Sequence, residues 1–175
     1  MIPPQASPEA PRRALLLLLA ALLASPAQAL PEDANQPLNV QAPSAALDLN
    51  LGQVVYKGNA NTPAVITQGT MRISGEEIIV ERSNGVITRV TAKGAPARFQ
   101  QQPTADQALV HASGAVLVFN NEARVVTADG NAEFSQAETT INGQHIEYDL
   151  ETRSASADGG DSGELVNMKI LPAEE

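Results

Sequence analysis

Three glycines, Gly58, Gly94 and Gly130, recur at intervals of 36 residues, and each closes the same short phrase. Four residues before each stands Val54, Val90 or Val126, and two before stands Tyr56, Ala92 or Ala128. Positions two apart point to the same side of a strand, so each copy delivers an apolar strand face into a glycine turn. Beyond the turn come Ile66, Phe99 or Phe134 and then a Gln-rich bend at Gln68, Gln100 and Gln101, or Gln136. The outer copies continue alike: Ile73-Ser74-Gly75 with Ile78 matches Ile141-Asn142-Gly143 with Ile146, and His111-Ala112-Ser113 holds the equivalent place in the middle copy. A unit of about 36 residues with three or four short strands cannot cover its own dry face, and stacking such units buries a continuous interior.

Strand patterning fills the intervals. Leu47, Leu49 and Leu51 alternate with Asp48 and Asn50, Met71 and Ile73 flank Arg72, and Ile146, Tyr148 and Leu150 alternate with Glu147 and Asp149. Period two marks a strand with one dry and one wet face. The turn groups "KGN", "SNG", "KGA" and "DGN" punctuate it. No helical periodicity follows position 30. The expected fold is all-β, a stack of repeated hairpin modules.

The first residues read differently. Arg12 and Arg13 precede "ALLLLLAALLA", and "SPAQA" puts Ala27 and Ala29 at the −3 and −1 positions of a signal-peptidase site. Residues 1–29 are expected to be a signal peptide for the general secretory route, with a twin-arginine signal as the other option, and residues 30–175 to form one domain with a loose tail from about 171. Without cysteine, neither a lipid anchor at this site nor a disulfide framework is available. An exported chain of this kind holds together by burial alone.

Charge is uneven along the chain. Residues 57–98 carry six basic residues against Glu76, Glu77 and Glu81, a net of +3, whereas residues 99–175 carry 13 acidic and 3 basic, a net of −10. A uniformly basic nucleic-acid surface is excluded. A basic middle beside an acidic end fits one anionic ligand, or a partner docking end to end, or ordinary solvated faces.

The interior is poor in aromatics: Tyr56, Phe99, Phe119, Phe134 and Tyr148 are the full set, and tryptophan is absent. Two sheets pack about 10 Å apart when their side chains interdigitate. With many small inward residues, either the sheets close together or an apolar slot remains between them, wide enough for an acyl chain.

Motifs that suggest chemistry do not sustain it. "GGDSGE", Gly159 to Glu164, resembles the loop around a serine-protease nucleophile, but that chemistry needs a His base held by a carboxylate. His111 and His145 are the only histidines, and only 13 residues follow Ser162. His145 falls on the parity opposite to Ile146 and Tyr148, as a solvated strand residue does. No zinc spacing, phosphate loop or dinucleotide fingerprint is present, so no enzyme and no cofactor is expected.

The pieces "NQPLNVQAPSAALDL", "VYKGNANTPAVITQGTMRISGEEIIV", "GAPARFQQ", "HASG" and "VVTADGNAEFSQAETTINGQHIEYDL", in this order, closely resemble the OstA-like family of periplasmic lipopolysaccharide-transport proteins. The resemblance covers Asn35 to about Leu150, with Asn61 to Ala64 as a short insertion. It implies a twisted antiparallel β-jellyroll open at both ends. It also implies a periplasmic location and an apolar groove for the acyl chains of lipid A. The implied partners are related jellyroll domains of an inner-membrane transporter complex and of an outer-membrane barrel, and further copies of the chain itself, joined head to tail.

By motif position, Leu38 and Val40 would lie at the N-terminal docking edge and groove, and Arg82 and Phe99 near the ligand. Inward parity adds Leu47, Leu49, Tyr56, Met71, Ile73, Ile78, Val80, Leu117, Phe119, Phe134, Ile141, Ile146 and Tyr148 as lipid-binding candidates. Each of these apolar residues taken singly is also a plain core position. "ELVNMKIL" is a possible last strand with Val166, Met168 and Ile170 inward. A structural or adhesive envelope β-repeat with a filled core and no lipid ligand is the alternative function.

Overall fold

A computed structural model describes Asp33, residues 36–161 and residues 163–172. The expected signal peptide lies outside the described residues. The strands are β1 (Asn39–Gln41), β2 (Ser44–Asp48), β3 (Gln53–Lys57), β4 (Ala64–Gln68), β5 (Met71–Gly75), β6 (Glu77–Ser83), β7 (Val86–Gln101), β8 (Val110–Asn120), β9 (Val125–Gln136), β10 (Thr139–Asp149), β11 (Ser154–Asp158) and β12 (Asn167–Ile170). All pairings are antiparallel. The fold is the all-β stack that the repeat implies, and it is unclosed and twisted as the family resemblance implies.

Hydrogen bonding follows two branches that share the four longest strands. One sheet runs β2-β3-β6-β7-β8-β9-β10-β11 and the other β1-β4-β5-β7-β8-β9-β10-β12. β7, β8, β9 and β10 each cross from one sheet to the other. The register shifts at the crossings, between Lys93 and Ala97, Ser113 and Val116, and Gly143 and His145. In the earlier rungs the same crossing breaks a strand in two, β3 from β4 at Gly58 and β5 from β6 at Glu76. One crossing strand out and one back make up the 36-residue unit, and the repeated glycines lie where the chain changes sheets.

Glycine is required there because backbones approach closely. A Cβ on Gly75 would sit 2.6 Å from the Lys93 carbonyl oxygen, and one on Gly143 2.8 Å from that of Asp158. The line of crossings forms a closed spine. Of the expected insertion Asn61 to Ala64, the first three residues lie in a turn, with the Asn59 amide donating to the Thr62 carbonyl at 3.0 Å, and Ala64 begins β4, which pairs with β5 through Gln68 without interruption.

Opposite the spine, the strand ends of the two sheets face each other along a seam. On the first sheet a side-chain device ends three of the strands. Asp48, Asn120 and Asp149 each accept two backbone N–H bonds through Oδ1, from Asn50 and Leu51, Glu122 and Ala123, and Glu151 and Thr152, at 2.8 to 3.1 Å. Short side-chain acceptors of this kind divert the backbone from a ladder into a turn. These bonds to the backbone hold the Asp149 carboxyl below the usual range. They also correct one expectation. The alternation from Leu47 to Leu51 does not continue as a strand, because Asp48 turns the chain and leaves Leu49 and Leu51 in the turn, exposed.

Candidate functional site

Cross-strand partners share a face, so the register defines columns running the length of the stack. On the inner face of the first sheet one column reads Leu47, Val54, Val80, Val90, Phe119, Val126, Tyr148, Ala155. Beside it runs Ala45, Tyr56, Ile78, Ala92, Leu117, Ala128, Ile146, Ala157. The second sheet faces them with Val40, Ile66, Ile73, Phe99, Ala112, Phe134, Ile141, Met168. These columns are the candidate site.

Midway along the stack the two faces close on each other. Ile66, Ile78, Ala97 and Val110 are fully buried, and Phe99 and Phe119 nearly so. Small residues permit the approach: Ala45, Ala92, Ala128 and Ala157 recur among larger side chains in the second column, and Ala112 lies between Phe99 and Phe134 in the third, where the faces interdigitate. Of the expected lipid-binding residues, Met71, Ile73, Ile78, Val80, Phe99, Leu117, Phe119, Phe134, Ile141, Ile146 and Tyr148 are buried between the sheets. Leu38, Val40 and Tyr56 are partly buried against that core.

At the two ends the columns emerge into solvent. Leu47 in the first rung is 61% exposed, and Met168 and Ile170 in the last are 59% and 67% exposed. Met168 pairs with buried Ile141, so its side chain lies on the inner face and is exposed only because no further rung covers it. The possible last strand is therefore present as β12, which begins at Asn167 and leaves Val166 in the preceding loop. The Leu171 amide donates to the Glu138 carbonyl at 3.0 Å. Among the described residues β1, β2, β11 and β12 are each paired on one side only.

Arg82 shares the face of Ile87, its partner across a bulge, at the seam margin. Its side chain is exposed, and Nη2 donates to the Gly85 carbonyl at 3.1 Å. Leu49 lies in the adjacent turn and belongs to no column.

The seam is polar. Asp33 accepts from the Thr70 amide at 2.8 Å, the Thr70 hydroxyl at 2.5 Å and Gln101 Nε2 at 3.1 Å, and so caps the β4–β5 turn. It shares a small recess with Asn121 and Arg124 of the opposite margin. Arg124 also stacks 5.6 Å over the Phe119 ring, covering that buried aromatic from water. In the loop before β8 the Thr104 hydroxyl donates to Asp106 at 2.6 Å. That bond holds the Asp106 carboxyl below its usual range, and the charge of Arg153 across the seam adds to the effect.

The Tyr148 hydroxyl is buried and has no hydrogen-bond partner among the described residues, and burial pushes its pKa up. His145 points outward, as its parity implied, with Nδ1 2.6 Å from Asp129 Oδ1. No cluster able to hold a metal ion occurs among the described residues. No helix in the described residues is long and apolar enough to cross a membrane.

The columns also contain residues beyond the lipid-binding candidates. Val54, Val90 and Val126 line the interior through the same parity that places Tyr56, and their 36-residue spacing was the signal. Ala92, Ala112 and Ala128 line it too. Alanine is common on either face of a strand, so only the register reveals them.

Residues 39–154, from β1 to the first residue of β11, match the family described as LptA/(LptD N-terminal domain) LPS transport protein. The chain belongs to this family. It is 38% identical over 142 residues to the lipopolysaccharide export system protein LptH of Pseudomonas aeruginosa, covering 80% of this chain and 78% of the relative. To the lipopolysaccharide export system protein LptA of Escherichia coli K12 it is 29% identical over 164 residues, covering 91% of this chain and 85% of the relative. The crystal structure of LptH, described as the LptA-homologous periplasmic component of the lipopolysaccharide transport device of P. aeruginosa, superposes with a TM-score of 0.73 at 29% identity. It covers 81% of this chain and 100% of that one. The family is one of lipopolysaccharide-transport proteins, and its jellyroll-like fold accounts for the paired sheets and their shared long strands.

Proposed function

We propose that this protein is a periplasmic carrier that shelters the acyl chains of lipopolysaccharide between its two sheets, while the sugar part stays outside. It would receive the lipid from a related jellyroll domain of an inner-membrane transporter complex and pass it toward an outer-membrane assembly site. The observation that carries this reading is the emergence of the apolar columns at both ends. A rung of a related jellyroll, or of a second copy, added to β1 and β2 or to β11 and β12 would extend both sheets and all three columns. Such a contact is heterologous and does not close, so it makes a bridge.

The closed middle sets the energetic condition. Acyl chains gain about 0.8 kcal/mol per methylene on leaving water. Parting the sheets to admit them exchanges side-chain contacts for chain contacts, with little new apolar surface exposed. The lipid-binding candidates on the inner faces, Leu49 excepted, act as a set, with Arg82 at the seam margin placed to meet an anionic head group. A photo-crosslinking residue at Ile73 or Phe119 is expected to capture lipopolysaccharide in cells, and one at outward-facing Thr127 is not. Equal labelling at inward and outward positions overturns the proposal.

A second reading, a structural envelope protein with a filled core, is favoured by that same burial at Ile66, Ile78, Ala97 and Val110. Titration of the purified protein with lipid A separates the two readings: saturable binding supports the carrier, and its absence supports the filled core.

A further inference from the structure

The two sheets treat their outward basic residues differently. On the first sheet each strand cation in the shared strands faces a carboxylate: Lys93 pairs with Glu77 at 3.1 Å, and Arg89 with Glu81 at 3.7 Å. On the second sheet Arg72 and Arg98 have no carboxylate within ion-pair distance among the described residues. Arg72 pairs with Gln100 and Ser74 with Arg98, so the two guanidinium groups are diagonal neighbours on one outer face. Their neighbours there include Ser113 and His111, the cross-strand partners of Arg98 and Gln100, Thr67, the partner of Arg72 on β4, and Glu133, the partner of Ser113 on β9. Two strand arginines without an ion-pair partner among the described residues thus stand together in a chain whose net charge is −9.

The place is recessed. Arg72, Ser74, Arg98, Gln100, His111, Ser113 and Glu133 rise around a hollow of about 130 Å³. That is several times the share of about 30 Å³ taken by one water in the liquid. We propose that this outer-face hollow is an oxyanion site for a phosphate group. Two guanidinium forks with hydroxyl and amide donors between them suit a doubly charged tetrahedral oxyanion, which accepts from several directions, better than a planar carboxylate. Glu133 on the far wall opposes the anion and limits its affinity. The site lies on the face opposite to the acyl-chain columns and does not depend on the carrier reading.

The test is an amide-resolved NMR titration of the exported protein with inorganic phosphate at fixed ionic strength, with chloride as control. Saturable shifts are expected at Ser74, Arg98, Gln100 and Ser113. Arg72→Gln and Arg98→Gln should each weaken binding by roughly tenfold. Arg89→Gln, on the other sheet, should leave it unchanged, and Glu133→Gln should tighten it. No saturable shift with either inorganic phosphate or bisphosphorylated lipid A, or equal binding by wild type and both arginine variants, overturns the site. Bisphosphorylated lipid A and its dephosphorylated form identify the source. Movement of the same amides by the phosphorylated form alone supports a lipid phosphate as ligand, and movement by inorganic phosphate alone supports the free ion.

Discussion

Phe99 and Phe119 meet across the gap between the two sheets, with ring centroids 6.2 Å apart and planes inclined at 35°. Phe134 and Tyr148 make the next such bridge at 4.9 Å and 36°. In each pair one ring comes from each sheet, so these four residues clasp the open side of the fold against the spine. The predicted cost of Phe119→Ala is about 3 to 5 kcal/mol in urea unfolding, since a buried ring leaves a cavity. A double-mutant cycle with Phe99→Ala should recover a coupling of about 0.5 to 1.5 kcal/mol. Strictly additive losses would show that the rings do not hold the sheets together.

Tyr148→Phe is expected to leave stability unchanged or to raise it, by up to about 1 kcal/mol. The hydroxyl is buried without a partner among the described residues, so removing it sacrifices no bond and relieves a desolvation penalty. A destabilised Tyr148→Phe in chemical denaturation would reveal a bond that this geometry does not contain.

Gly143 at a crossing and Gly85 in the β6–β7 turn separate crowding from conformational strain. Gly143→Ala places a Cβ 2.8 Å from the Asp158 carbonyl oxygen, where the backbone of β11 must move. Gly85 has a φ of +82° with open space around it, so Gly85→Ala meets only the left-handed penalty of about 1 to 2 kcal/mol. Gly143→Ala should therefore be the more damaging, and should also loosen β11, seen as faster amide exchange at Ala155 and Ala157. Equal costs at the two positions would remove close packing as the reason for glycine at the spine.

His145 supplies a pH dependence. Its hydrogen bond to Asp129 raises its pKa against the opposing effect of burial, and the charges of Asp129, Asp158 and Glu147 add to the rise. A raised folded pKa means that the pair stabilises fully below the unfolded value of about 6.5 and that the contribution is lost as pH climbs through the folded value. The pair is partly exposed, so the effect should stay within about 0.2 to 1 kcal/mol. NMR titration should show the His145 pKa falling in Asp129→Asn, together with loss of the pH slope in the urea midpoint. An unchanged His145 titration in that variant would refute the assignment.

The ends should govern assembly. Met168→Asp with Ile170→Asp places charge on the last rung of the inner face, where a neighbouring jellyroll would continue the column. Light scattering over a concentration series is expected to show larger species for the native protein and only monomer for this variant, with Leu47→Asp acting alike from the other end. Larger species persisting in both variants would move the contact elsewhere.

Much of this was legible in the chain. The 36-residue spacing and period-two alternation gave the all-β stack, the inward parity of Val54, Val90 and Val126, and the outward placement of His145. These are local consequences of strand geometry and glycine conformation, which any stretch of a few residues displays. The same local rule misled at Leu49, where alternation persisted past Asp48 although the Asp48 carboxylate had already claimed the next amides. Sequence also left open whether the sheets part or close, and which rungs lie at the ends. Those were decided by register between strands far apart in the chain. Only that register joins Val40 to Met168 in one column, sets Phe99 against Phe119, leaves Leu47 and Ile170 uncovered, and brings Arg72 and Arg98 together without a carboxylate. Burial and charge neutralisation depend on which side chains meet, and no single strand carries that information.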